Sequence, residues 1–179
     1  MKNIKKLGAL LCSACLVVSG TTIPTMADSM KVVTLGADLT DAQKNTMMKY
    51  FNVSSDQVQI LTITNQDERD HLSAYVPIEQ IGTRTVSCAY VKPTTSGGIK
   101  VRTANLNWVT CNMIATSLST SGVKNCEVVA ACPFEVSGTG ALTGIQMAYE
   151  TATGEQLDST KKELATEEMV VTGNLADEV

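Results

Sequence analysis

Residues 99–134 read IKVRTANLNWVTCNMIATSLSTSGVKNCEVVAACPF, and this stretch decides the fold. Ile99 to Trp108 and Val128 to Phe134 are strand-like runs, and between them Thr110 caps a helix expected over Cys111 to Ser121. Gly122 stops that helix, because glycine takes the left-handed conformation beyond a helix end without steric cost. Strand, helix, strand in this order is a crossover unit, so the two strands lie parallel in one sheet.

Upstream, Thr85 to Lys92 is a further strand-like run, separated from Ile99 by Pro93-Thr94-Thr95-Ser96-Gly97-Gly98. That separator is turn chemistry, and the pair reads as an antiparallel hairpin. Val32 to Leu35 is a short β-branched run followed by Gly36-Ala37-Asp38-Leu39. Thr40 with Gln43 forms a capping box, which starts a helix from Asp41 to about Phe51 with Met47, Met48 and Phe51 inward. Val58 to Thr64 follows as a strand, and Asn65-Gln66-Asp67-Glu68 opens a helix that ends before Pro77. Downstream, a helix beginning near Gly140 carries Leu142, Ile145, Met147, Ala148 and Tyr149. A last helix, capped by Asp158, is expected to run to about Thr172 and end at Gly173. The reading is mixed α/β: a mixed parallel and antiparallel sheet with a hairpin and a βαβ crossover, covered by helices.

The amino terminus has the parts of a secretory signal peptide. Lys2, Lys5 and Lys6 precede an apolar run from Leu7 to Val18, and Thr25-Met26-Ala27 is a small-residue exit, so residues 1–27 are expected to be cleaved. Cys15 after Ser13-Ala14 raises a lipoprotein signal as the rival, but Cys12 stands where such a signal wants leucine. Three of the 14 basic residues and none of the 18 acidic ones lie before residue 28, which leaves 11 against 18, a net charge near −7. Nucleic acid and anionic lipid are disfavoured partners for such a balance. No second apolar stretch is long enough to span a membrane once the signal is removed. A single domain over residues 28–179 and a secreted or extracytoplasmic location are the expectations.

The chain resembles the YpuA-like secreted proteins of Gram-positive bacteria, a family with a domain of unknown function. The resemblance rests on Gly36-Ala37-Asp38-Leu39-Thr40, Thr64-Asn65-Gln66-Asp67-Glu68-Arg69, Ile81-Gly82-Thr83-Arg84 and Asn107-Trp108-Val109-Thr110. It continues through Pro133-Phe134, Val136-Ser137-Gly138-Thr139, Ala141-Leu142-Thr143-Gly144 and Val170-Val171-Thr172-Gly173. It implies export and a shared fold, with further charged helices past Gly173 in similar proteins that a chain ending at Val179 lacks. It brings no established catalytic residues, and the four cysteines beyond residue 27 lie outside its pattern.

Cys88, Cys111, Cys126 and Cys132 form an even set in an exported chain, which points to disulfides. The crossover brings the start of the helix near the end of the second strand, so one bridge is expected from Cys132 to Cys111 or Cys88. The alternative is four buried thiols acting as small apolar residues. No C-x-x-C pair supports zinc, and no metal or cofactor is expected. Cys111 at a helix start would need a histidine to act as a nucleophile, and His71 is the only one, set among Asp67, Arg69 and Asp70 on an expected exposed face. Gly138-Thr139-Gly140 enters a helix and offers N–H groups to an anion, or is simply a tight strand-to-helix turn, since Thr143 stands where a dinucleotide fingerprint needs glycine. Asp67 and Glu68 are candidate paired carboxylates, or acids complementing a helix dipole. Arg84 after Gly82 is the candidate contact for a carboxylate or phosphate.

These residues support a non-catalytic extracytoplasmic module that binds a cell-envelope polymer or an extracellular protein. The alternative is a hydrolase of wall polymer or peptide working through Asp67 and Glu68 with Arg84 orienting the substrate. A thiol-dependent role rests on the cysteines alone.

Overall fold

The structure, a computed structural model, describes residues 30–177. The segment expected as a signal peptide, residues 1–27, lies outside the described residues. The elements run β1 (Val32–Gly36), α1 (Asp41–Tyr50), β2 (Gln59–Ile63), α2 (Asn65–Leu72), α3 (Ile78–Ile81), β3 (Cys88–Pro93) and β4 (Ile99–Leu106). They continue with α4 (Cys111–Thr120), β5 (Cys126–Val136), α5 (Thr139–Thr153) and α6 (Ser159–Asp177). The five strands form one mixed sheet in the order β2-β1-β3-β5-β4, so the chain is mixed α/β.

The crossover read from residues 99–134 is present: β4 and β5 are parallel neighbours joined by α4. A second crossover joins β1 to its parallel neighbour β2 through α1. The expected hairpin is not formed, because β5 lies between β3 and β4 and pairs with both. Burial explains the order. Six of the first seven residues of β5 are buried without alternation, as a central strand requires, whereas β4 alternates half-buried with exposed positions at Lys100 and Arg102 and suits an edge. The Pro93–Gly98 segment instead wraps the start of β5, where Asn125 Oδ1 accepts the Gly98 N–H at 2.9 Å. β3 is antiparallel to both β1 and β5, so four strands point one way and β3 alone points back.

Helices cover both faces. Met47 of α1 and Phe51, the residue that caps its carboxyl end, pack with Val33, Leu35, Cys88, Val129 and Ala131 on one face. On the other, Met113, Ile114 and Leu118 of α4 and Leu142 and Ile145 of α5 meet Val32, Ala89, Val91 and Val128. α5 is pressed onto the sheet by two glycines one turn apart. A Cβ on Gly144 would stand 2.5 Å from Thr34 Oγ1, and one on Gly140 would stand 2.4 Å from Glu68 Oε1, so neither position has room for a side chain. α6 packs on α4 and continues through Gly173 to Asp177, so Gly173 does not end it. Among the described residues no helix is long and apolar enough to cross a membrane.

Candidate functional site

Because four strands run the same way, their carboxyl ends gather at one end of the sheet, the place where open α/β sheets hold ligands. The loops leaving β1, β2, β4 and β5 meet the segment that enters β3 there, around a cleft of about 420 Å³. Glu68, Arg84, Gly138 and Thr139 line it, together with Glu79, Ser87, Asn107 and Ser137.

The α2 wall follows from its cap. Thr64 Oγ1 and N–H both donate to Asp67 Oδ2, at 2.6 and 2.8 Å, which closes the capping box. The Thr64 hydroxyl holds the Asp67 carboxyl below its ordinary pKa, and Asp67 is spent on this cap rather than on the cleft. Glu68, one residue further round the helix, points inward and is 1% exposed. Asn65 Nδ2 donates to Glu68 Oε2 at 3.2 Å and to the Gly82 carbonyl, while Arg69 donates to Asn65 Oδ1 and to the same Gly82 carbonyl. Burial pushes the Glu68 carboxyl up to about 7, with Asp38 adding to the rise and Asn65, Thr85 and Arg69 opposing it. The Thr85 hydroxyl is close enough to act on Glu68, yet is fully buried without a well-formed hydrogen bond.

The second wall is a clamp between the loop after β1 and the segment entering β3. The Asp38 N–H donates to the Thr85 carbonyl at 3.0 Å, Asp38 Oδ2 accepts the Thr85 N–H at 2.8 Å, and Arg84 donates to the Asp38 carbonyl at 3.3 Å. Gly36 permits this approach, since a Cβ there would lie 2.4 Å from the Thr85 carbonyl oxygen. The third wall is the turn into α5. Gly138 adopts a φ of 98°, which favours glycine, and as the N-cap residue it offers the helix no side-chain cap. Ser87 Oγ accepts the Ala141 N–H at 2.7 Å, and among the described residues no partner is found for the Thr139 and Gly140 N–H groups. Ser137 Oγ lies 3.4 Å from Thr139 Oγ1 and donates to the Gln80 carbonyl at 2.9 Å.

The structure thus brings together Glu68, Arg84, Gly138 and Thr139, with Gly140 against the Glu68 carboxyl, and leaves Asp67 outside. Sequence reasoning missed Asp38, Thr85, Ser87 and Ser137. The signal that points to Asp38 is its place in a glycine-led loop directly after a strand. The expected disulfide is not present: Cys88, Cys111, Cys126 and Cys132 are all free, and no pair is near disulfide distance. The Cys132 thiol donates to the Val86 carbonyl at 3.3 Å, and Cys111 Sγ lies 3.4 Å from Thr103 Oγ1. Burial raises the Cys88 and Cys126 thiols to about 12 and about 11, which keeps them protonated. His71 is half-buried rather than exposed, its Nδ1 2.8 Å from the Asp67 carbonyl, and it lines a separate small hollow. Among the described residues no group of three or more His, Cys, Asp or Glu gathers as metal ligands. A broader hollow of about 720 Å³ beside α4 is lined by small hydroxyl and apolar residues, with Lys124 as its charged group.

The family described as "Protein of unknown function (DUF1002)" matches residues 35–179. The chain is 38% identical over 149 residues to the "Uncharacterized protein YpuA" of Bacillus subtilis (strain 168), which covers 83% of this chain and 51% of that protein. The chain therefore spans about half the length of this curated relative. No solved structure matches it. The stretches 36–40, 64–69, 81–84 and 136–139, which carry the resemblance in the sequence, are the ones that build the cleft, and the chain belongs to the DUF1002 family of proteins of unknown function.

Proposed function

We propose that the protein is an exported, extracytoplasmic module that binds a polar component of the cell envelope in the cleft at the carboxyl ends of its strands, without turnover. The observation that carries this reading is the composition of the cleft. A guanidinium, hydroxyls, a buried carboxyl and the first-turn N–H groups of α5 converge there. Such groups fix and orient a ligand, and the carboxylate expected to work beside Glu68, Asp67, is held in the helix cap instead. Export is supported by the arrangement of Lys2, Lys5, Lys6, the apolar run and Ala27 in the sequence.

One observation favours the second reading, a hydrolase of wall polymer or peptide. A buried carboxyl with a pKa near 7 is protonated enough at neutral pH to serve as a general acid, and Glu79 supplies a second carboxyl to the cleft. Co-sedimentation of the purified protein with isolated Gram-positive cell walls separates the two. Sedimentation without release of soluble fragments is the expected result. Release that stops in the Glu68→Gln variant replaces the binding module with the hydrolase, and absence of both sedimentation and release refutes an envelope role.

A further inference from the structure

We propose that the cleft takes a singly charged carboxylate of its ligand, held by Arg84, Thr139 and the amino end of α5, with Glu68 acting in its protonated form as a hydrogen-bond donor. This rests on the binding reading above and names the chemistry of that ligand.

The geometry carries it in three steps. First, the amino end of the 15-residue helix α5 opens onto the cleft at Gly138 and Thr139 with no side chain on its N-cap residue and with Ser87 Oγ taking the Ala141 N–H, and such an end favours an anion. Second, a buried group already sits against that first turn. Glu68 is 1% exposed, and the adjoining Thr85 hydroxyl is fully buried without a well-formed hydrogen bond. Asn65 Nδ2 is the one well-formed side-chain donor to Glu68, with the Thr85 hydroxyl alongside, and burial outweighs both and leaves the carboxyl neutral in half or more of the molecules up to about pH 7. Third, the charges around Glu68 are balanced. Asp38 from the loop after β1 and Arg69 from α2 bring opposite charges to bear on Glu68, and Glu79 and Arg84 bring opposite charges to the lining, while Ser87 and the first turn of α5 carry no charged side chain. With Glu68 neutral the surroundings sum to zero, so one negative charge is accommodated and two are opposed. A carboxylate therefore fits better than a phosphate dianion.

The proton account follows. Above the pKa of Glu68, an arriving carboxylate and an ionised Glu68 are like charges, so the complex takes one proton from the buffer onto Glu68, which then donates it in a short hydrogen bond to the ligand. Below that pKa no proton is taken up.

The test is calorimetric titration of the purified protein with N-acetyl-dialanine, with its carboxamide and with inorganic phosphate, near pH 6 and near pH 8 in buffers of different ionisation enthalpy. The free dipeptide is expected to bind about tenfold more weakly near pH 8 than near pH 6, with close to one proton taken up at the higher pH. The carboxamide is expected to bind at least about tenfold more weakly than the dipeptide near pH 6, and phosphate, mostly a dianion near pH 8, at least about tenfold more weakly than the dipeptide at that pH. Glu68→Gln, which keeps a neutral donor, should retain the affinity seen near pH 6 and lose the pH dependence, and Arg84→Ala should weaken binding by about tenfold or more. The proposal is overturned by equal binding of the carboxamide or of phosphate, by affinity that rises with pH, by a folded Glu68→Gln that no longer binds, or by no binding of the dipeptide. If the dipeptide fails while the protein still sediments with walls, this inference falls and the envelope-binding reading stands; loss of wall sedimentation removes both.

Discussion

Exchanging Glu68 for Gln isolates the energetic cost of one buried carboxyl. The folded protein raises its pKa from 4.5 to about 7, so the stability this group contributes is fully present below about pH 4.5 and is lost as pH rises through about 7. At 1.36 kcal/mol for each unit, the swing is about 3 kcal/mol, with no discount for solvent because Glu68 is 1% exposed. Gln has the shape of the protonated acid and does not titrate, and every other ionisable group is common to both proteins. Urea unfolding of each protein from about pH 5 to about pH 8.5 should therefore give curves that lie close together at the acid end. They should separate by about 3 kcal/mol in favour of Glu68→Gln at the alkaline end, or roughly 10 °C in melting temperature for a domain of this size. Curves that run parallel across the range would refute the assignment of Glu68 as a buried, proton-retaining group.

Gly36→Ala drives a Cβ to 2.4 Å from the Thr85 carbonyl oxygen, so thermal unfolding should show a loss of about 1–3 kcal/mol; an unchanged melting temperature contradicts the Asp38–Thr85 clamp. Asp67→Ala should cost about 0.5–2 kcal/mol through the lost cap and leave wall binding intact, and loss of binding in a folded variant would return Asp67 to the site. Alkylation of the native protein followed by mass spectrometry should modify the half-buried Cys111 well before Cys88 and Cys126. All four thiols should react once the chain is denatured without reductant, and a mass short of four adducts on those positions would mean a disulfide.

Local chemistry was legible where a single segment carries it. Thr40 caps α1 through its expected box with Gln43, Thr110 caps α4 as expected, and Gly122 takes a φ of 99° at the end of α4, whereas α2 is capped by Thr64, one residue before the Asn65 that the sequence suggested. Pairing was not, because β3 and β4 are adjacent in sequence and the turn-like Pro93–Gly98 segment mimics a hairpin. The uniform burial of β5 against the alternation of β4 is the trace the sequence holds of the true order. Asp67 and Glu68 read as a pair in the sequence, yet about 100° of helix separates them, which sends one to the cap and the other inward. Gly138 and Gly140 read together as a loop entering a helix, but only Gly138 needs a left-handed backbone; Gly140, like Gly144 further along, lets α5 touch its neighbours, Glu68 for the one and Thr34 for the other. The cleft itself assembles segments more than 60 residues apart, so its residues were nameable one by one and their convergence was not.

The most direct test of the central claim is amide chemical-shift mapping of the purified, isotope-labelled protein during titration with solubilised Gram-positive wall fragments. The account predicts shifts concentrated at Gly82, Thr83, Arg84, Gly138, Thr139 and Gly140. Shifts centred on the hollow beside α4, at Ala115, Ser119 and Val123, with that cleft silent, would contradict it.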